Sequence, residues 1–162
     1  VPLAVASRIW RRVDRAPKKL AAYPEARRAL EVTRSAGLIT GVISNMGFDL
    51  PNIVNSSGLG GLADAVVSSA EAGVSKPHAP IFLAALAKAG LRPFEAVPVG
   101  DSYDGDVLGA LGAGMRAIWL SRRIGPATTH KQQMPKGVGL VHTLDEVLPY
   151  LRSEGLFTFK SF

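Results

Sequence analysis

Cysteine is absent from this sequence, and its absence excludes disulfides, thiolate zinc sites and a cysteine nucleophile. Histidine is scarce: His78, His130 and His142 stand far apart, without the short spacing of a paired metal-ligand motif. No apolar run approaches the roughly 20 residues that cross a bilayer, and no signal-peptide pattern opens the chain. A soluble, cytoplasmic protein without a membrane partner is therefore expected. Aromatic residues make up only 7% of the chain, and Trp10, beside its first arginines, falls with Ile9 and Val13 on the apolar side of a predicted helix. Arg8, Arg11, Arg12 and Arg15 repeat on one side of a predicted helix over 3–15. Without aromatics for base stacking, that stripe reads as a solvated face, and no nucleic-acid partner is expected. The net charge of +6 needs nothing more than an arginine-rich surface. Internal repeats, low-complexity tracts and clear linkers are missing as well.

What is there is a 162-residue chain with 47% hydrophobic residues, enough for one domain with a real core and too short for two ordinary ones. Pro24 opens a predicted helix that Gly37 closes, and Ile39 to Ser44 follows as a strand that exits into Ser44-Asn45-Met46-Gly47. A short helix over 51–57, a turn over 58–61 and a strand over 65–68 come next. The loop over 73–78 carries Lys76, ahead of a helix over 80–89 with Ile81, Phe82, Ala85 and Leu86 on its apolar side. Ala96 to Gly100 is a further strand. It runs into Asp101, Asp104 and Asp106, and Val107, Leu108, Leu111 and Met115 continue at helical spacing. Strands over 116–120 and 138–141, separated by a basic loop with Arg122, Arg123, His130 and Lys131, lead to a helix ending near Arg152. Its predicted start is a capping box of Thr143 and Glu146. Strands alternating with helices in this order imply an α/β fold, a largely parallel sheet with helices on both faces.

Three strand exits carry chemistry. Asp101, Asp104 and Asp106 repel one another unless they are solvated or share a hard cation such as Mg²⁺, which takes oxygen ligands. Asp101 also admits a plainer role, as a helix N-cap; Ser44 likewise serves as a turn residue and Lys76 as a surface charge. Together, a hydroxyl beside backbone N–H groups, a lysine and a Mg²⁺-binding carboxylate are the parts that hold and neutralise a phosphoryl group.

In this respect the chain, from about Tyr23 to Arg152, resembles the haloacid dehalogenase superfamily of hydrolases, and within it the phosphatase-like members with a helical cap. Ile43-Ser44-Asn45 resembles the family's second motif, Ser75-Lys76-Pro77 with Ile81-Phe82 the third, and Val99-Gly100-Asp101-Ser102 through Asp106, with Gly109 and Gly114, the fourth. The resemblance implies a three-layer, Rossmann-like fold in which Ser44, Asn45 and Lys76 bind substrate. Lys76 also steadies charge during catalysis, and Asp101 and Asp106 hold Mg²⁺. It implies a Mg²⁺-dependent phosphohydrolase of small phosphorylated metabolites. Residues 1–22 are then the remnant of the cap, 23–153 the core domain and 154–162 a C-terminal tail.

One part of the family pattern is missing. Its first motif is an Asp-x-Asp after an apolar strand, supplying the nucleophile and the acid/base. Of the aspartates at 14, 49, 64, 101, 104, 106 and 145, only Asp104 and Asp106 have that spacing, and they lie inside the fourth motif. The expectation is an N-terminally incomplete chain that lacks the first central strand and most of the cap. Such a chain is inactive alone and binds Mg²⁺ weakly. The alternative is a non-catalytic module that binds a phosphorylated ligand or a partner. Gly105, where the family often has asparagine, removes one polar contact. Without the first strand, the strands ending at Ser44 and Gly100 must pair directly, borrow a strand or leave edges open.

Overall fold

A computed structural model describes residues 21–122 and 134–156. The predicted helix over 3–15, the loop residues Arg123, His130 and Lys131, and the tail over 157–162 lie outside the described residues. Helix α1 (Ala26–Ser35) follows Pro24 and ends at Gly37, whose φ of +80° closes the last turn through Gly37 N to Arg34 O at 2.8 Å. Strand β1 (Gly41–Ser44) is shorter than its apolar run because Thr40 is occupied otherwise: its N–H donates to Asp64 Oδ2 at 2.9 Å. Helix α2 (Leu50–Val54) gives way to a wide turn, Asn55–Leu59, in which Gly58 takes φ +79°. The backbone thus stays helical through the expected 51–57, widening after Val54, and turns at Gly58, where the turn over 58–61 is expected.

Strand β2 (Ala65–Ser68) runs parallel to β1, with Gly41 opposite Ala65 and Ser44 opposite Ser68. Ser68 caps a short helix α3 (Ser69–Ala72), accepting from Glu71 N at 3.1 Å. Helix α4 (Ala79–Ala89) ends at Gly90. Strand β3 is only Val99–Gly100, against the five residues expected. Pro98 has no N–H to continue the ladder upstream, although its carbonyl accepts from Ile118 N at 2.8 Å. Strands β4 (Ala117–Leu120) and β5 (Val138–Val141) complete a parallel set in the order β3-β4-β5. A wide helical turn, Tyr103–Leu108, and a one-turn helix α5 (Gly109–Gly112) link β3 to β4. Helix α6 (Val147–Ser153) closes the described chain after a tight turn over Leu144–Glu146. The expected capping box there takes another form: Thr143 Oγ1 donates to Glu146 Oε1 at 3.0 Å, and the other carboxylate oxygen accepts from His142 N at 3.2 Å.

Layering follows from the two-residue alternation of β4. Ala117 joins Val67, Ile81, Phe82, Val107, Ala110 and Met115 in one core, beneath α4 and α5. Ile118 and Leu120 face the opposite way and meet Val141, Leu144, Val147 and Leu151 beneath α6. Removing a side chain the size of Ile118 or Phe82 from water contributes about 1.5–3 kcal/mol, and both are essentially fully buried. Helix α1 lies against α6 and the wide turn after α2. This is the three-layer α/β arrangement expected.

The sheet itself comes in two pieces, β1-β2 and β3-β4-β5. Among the described residues β1 and β3 do not pair, and no other strand bridges them. Of the three outcomes open for these strands, the described residues show unpaired edges. Val99 and Gly41 are exposed there.

Candidate active site

Lys76 reaches the site from the loop between α3 and α4, where Ser75 O accepts from His78 N at 3.1 Å and the Lys76–Pro77 peptide is cis. Its ammonium lies 2.5 Å from Asp106 Oδ1 and donates to Ile43 O at 3.2 Å. The second Asp106 oxygen accepts from Ser102 N at 3.0 Å. Only 16% of the Lys76 side chain and 12% of the Asp106 side chain are exposed, so this is a partly buried ion pair with its remaining hydrogen-bonding capacity largely met. Lys76 is therefore not a solvated surface charge.

Two glycines make the pair possible. A Cβ at Gly100 falls 2.2 Å from Asp106 Cγ, so the carboxylate lies where any side chain on the strand end would stand. A Cβ at Gly109 falls 2.8 Å from Phe82 Cε2 and 2.9 Å from Pro77 Cα, so α5 presses directly on the Lys76-Pro77 loop.

Asn45 sits at the exit of β1 and holds the same loop by its backbone: Lys76 N donates to Asn45 Oδ1 at 2.7 Å, and Asn45 Nδ2 donates to Lys76 O at 3.1 Å. Ser44, half-buried, ends β1 opposite Ser68. Asp101 is exposed at the end of β3. The N-cap of the following turn is Ser102, whose Oγ accepts from Gly105 N at 3.0 Å, so the capping role open to Asp101 falls to its neighbour. Asp101 is fixed instead by its backbone carbonyl, which accepts from Trp119 Nε1 at 3.2 Å, while Tyr103 packs edge-on against that indole at 5.1 Å.

The structure thus joins Asn45, Lys76 and Asp106 directly and places Ser44 and Asp101 on the adjoining strand ends. No hydrogen bond or ion pair connects the Asp101 carboxylate to Ser44, Asn45 or Lys76. The three carboxylates of the Asp101–Asp106 stretch do not converge: among the described residues no three acidic or imidazole groups form a metal cage. The donor chemistry still suits Mg²⁺, which takes one or two protein carboxylates and completes its shell with water and phosphate oxygens. Asp101 offers the free carboxylate, and Asp106 offers one already engaged by a lysine and a backbone N–H. A groove of about 450 Å³ between Tyr23, Arg27, Ser57 and Leu59 is lined by none of these residues. Trp119 and the Ile43 carbonyl carry no sequence signal as parts of the site, because Trp119 reaches it from another strand and Ile43 acts through its backbone.

The model of the family described as haloacid dehalogenase-like hydrolase matches residues 4–114. The chain belongs to the haloacid dehalogenase-like hydrolases. A phosphoserine phosphatase of Thermus thermophilus is 38% identical over 108 residues, covering 64% of this chain and 42% of that protein. A glyceraldehyde 3-phosphate phosphatase of Methanothermobacter thermautotrophicus is 36% identical over 104 residues, covering 63% and 46%. The chain spans less than half the length of both. Among solved structures, a haloacid dehalogenase-family phosphatase of Thermococcus onnurineus has a TM-score of 0.70 at 30% identity, over 80% of this chain and 58% of that one. A 2-haloacid dehalogenase of Pseudomonas syringae has a TM-score of 0.68 at 30% identity, over 85% and 56%. This haloacid dehalogenase-like chain therefore has phosphatases and dehalogenases alike as structural neighbours.

Proposed function

We propose that these 162 residues are the phosphate-handling part of a longer Mg²⁺-dependent phosphohydrolase acting on small phosphorylated metabolites. The observation that carries this reading is the Lys76–Asp106 pair together with the Lys76 bond to Ile43 O, which joins residues of three separate motifs between the ends of β1 and β3. In this reading the Ser44 hydroxyl donates to a phosphoryl oxygen, and the Lys76 ammonium balances negative charge on the phosphoryl group as it is transferred. Asp106 holds Lys76 in place, while Asp101 with Asp106 supplies carboxylates for Mg²⁺. When bound, Mg²⁺ withdraws charge from the phosphoryl oxygens. The carboxylate nucleophile belongs to the Asp-x-Asp motif that this sequence does not contain, so the chain alone turns over no substrate. Two nearby acidic residues and relatives named phosphatases favour phosphate over a haloacid.

The test starts with the intact mass of the protein made by its own cells. A product longer than 162 residues that hydrolyses small phosphomonoesters only with Mg²⁺ supports the reading, and Asp101→Ala in it should abolish that hydrolysis. Hydrolysis that is unchanged in Asp101→Ala rejects the metal role, and turnover of a 2-haloacid in its place rejects the substrate class. The missing nucleophile favours a second reading, a non-catalytic module that retains a phosphate pocket. A 162-residue product that binds phosphate without turnover selects it.

A further inference from the structure

Asn45 is the one candidate residue whose side chain is committed to another candidate residue's backbone. Both ends of its amide are engaged by both polar groups of Lys76: Oδ1 accepts from Lys76 N at 2.7 Å, and Nδ2 donates to Lys76 O at 3.1 Å. The pairing imitates one rung of a strand ladder, yet neither partner lies in a strand, since β1 ends at Ser44 and the Lys76 loop joins two helices. Both groups are water-accessible, and water competes with an isolated exposed hydrogen bond. Two bonds from one rigid amide to one residue share a single ordering cost, which favours this orientation over others.

The far end of Lys76 returns to the same strand exit, where its ammonium meets Ile43 O and Asp106 Oδ1. Lys76 is therefore clamped twice, by its peptide through Asn45 and by its charge through β1 and the β3 loop.

We infer that Asn45 is a positioning residue, acting on a bound phosphoryl group through Lys76 and not by touching it. This inference rests on the phosphate site proposed above and changes the part Asn45 plays in it. Loss of Asn45 frees the Lys76 peptide, and the ammonium then samples positions away from the ligand.

A double-mutant cycle on inorganic phosphate binding to the full chain, followed by ³¹P NMR titration, tests it. Asn45→Ala is expected to weaken phosphate binding about tenfold when Lys76 is present, and by less than about twofold in a Lys76→Ala background, because coupled residues are non-additive. Equal losses in both backgrounds mark a direct contact and overturn the inference, as does no loss in the Lys76 background. If Lys76→Ala itself leaves phosphate binding unchanged, the site reading fails and the inference falls with it. Amide hydrogen exchange at Lys76 is the second measurement: its acceptor is Asn45 Oδ1, so exchange should quicken about tenfold in Asn45→Ala if that bond is what protects it. Undiminished protection overturns the inference. Should Asn45→Ala fail to fold, Asn45→Ser enters the same cycle with the same criteria.

Discussion

A methyl group added at Gly100 falls 2.2 Å from Asp106 Cγ, well inside van der Waals contact, and the atom it meets is the carboxylate that holds Lys76. Gly100→Ala should therefore act on the site and the fold together: it must displace the buried Asp106 side chain, whose Cβ lies 2.4 Å from the added methyl, so phosphate binding falls and the melting temperature drops by several degrees. Gly109→Ala meets backbone at Pro77 and the buried Phe82 ring, neither of which is free to move away. It should cost about 1–3 kcal/mol of stability, as overpacking does, measured by urea unfolding. Asp106→Ala strands a partly buried ammonium and should cost on the order of 3 kcal/mol. An Asp106→Ala variant as stable as the parent would mean that Lys76 finds water or another acceptor.

Asp64 works at the scale of whole elements, because it ties the start of β1 to the start of β2 and to the end of α1. It accepts from Thr40 N at 2.9 Å and pairs with Arg34 Nη1 at 2.5 Å, while its own N–H donates to Thr40 O at 2.7 Å. The Thr40 N–H bond, and then the Arg34 guanidinium, hold its carboxyl below the usual carboxylate value of 3.8. A depressed folded-state value means that the ionised form stabilises the fold. That contribution is complete above the ordinary value and is lost as pH falls through the lower folded one. The stability difference between wild type and Asp64→Ala should thus be constant from pH 7 to 5 and shrink below about pH 3.8, read from urea midpoints across pH. A comparable link joins α1 to the end of β4: Arg122 pairs with Glu25 at 2.5 Å and lies 3.5 Å over the Tyr23 ring. Arg122 belongs to the basic loop expected between the last two strands, and it docks a helix.

For the molecule as a whole, the split sheet sets the distribution of stability. Among the described residues strand β4 is paired on both sides and mostly buried, with Ile118 fully enclosed, whereas β1 is paired on one side and partly exposed. Amide exchange should accordingly be slowest at β4 and several-fold faster along β1, and equal protection on both would show that the β1 edge is covered in solution. The sequence by itself determined the α/β class and the order of strands and helices, and it singled out Ser44, Asn45, Lys76, Asp101 and Asp106 as candidates. Apolar runs, helix-breaking glycines and short polar strand exits are local signals that need no partner to be read. Tertiary structure decided the rest. It gave the capping role to Ser102 and paired Lys76 with Asp106 across 30 residues. It turned Asn45 toward the Lys76 backbone and brought Trp119 to the Asp101 carbonyl from 18 residues away. It also shortened β3 and split the sheet between β1 and β3. Apart from the Ser102 cap, none of these is local, because each depends on which strand lies beside which, and sequence spacing does not encode that distance.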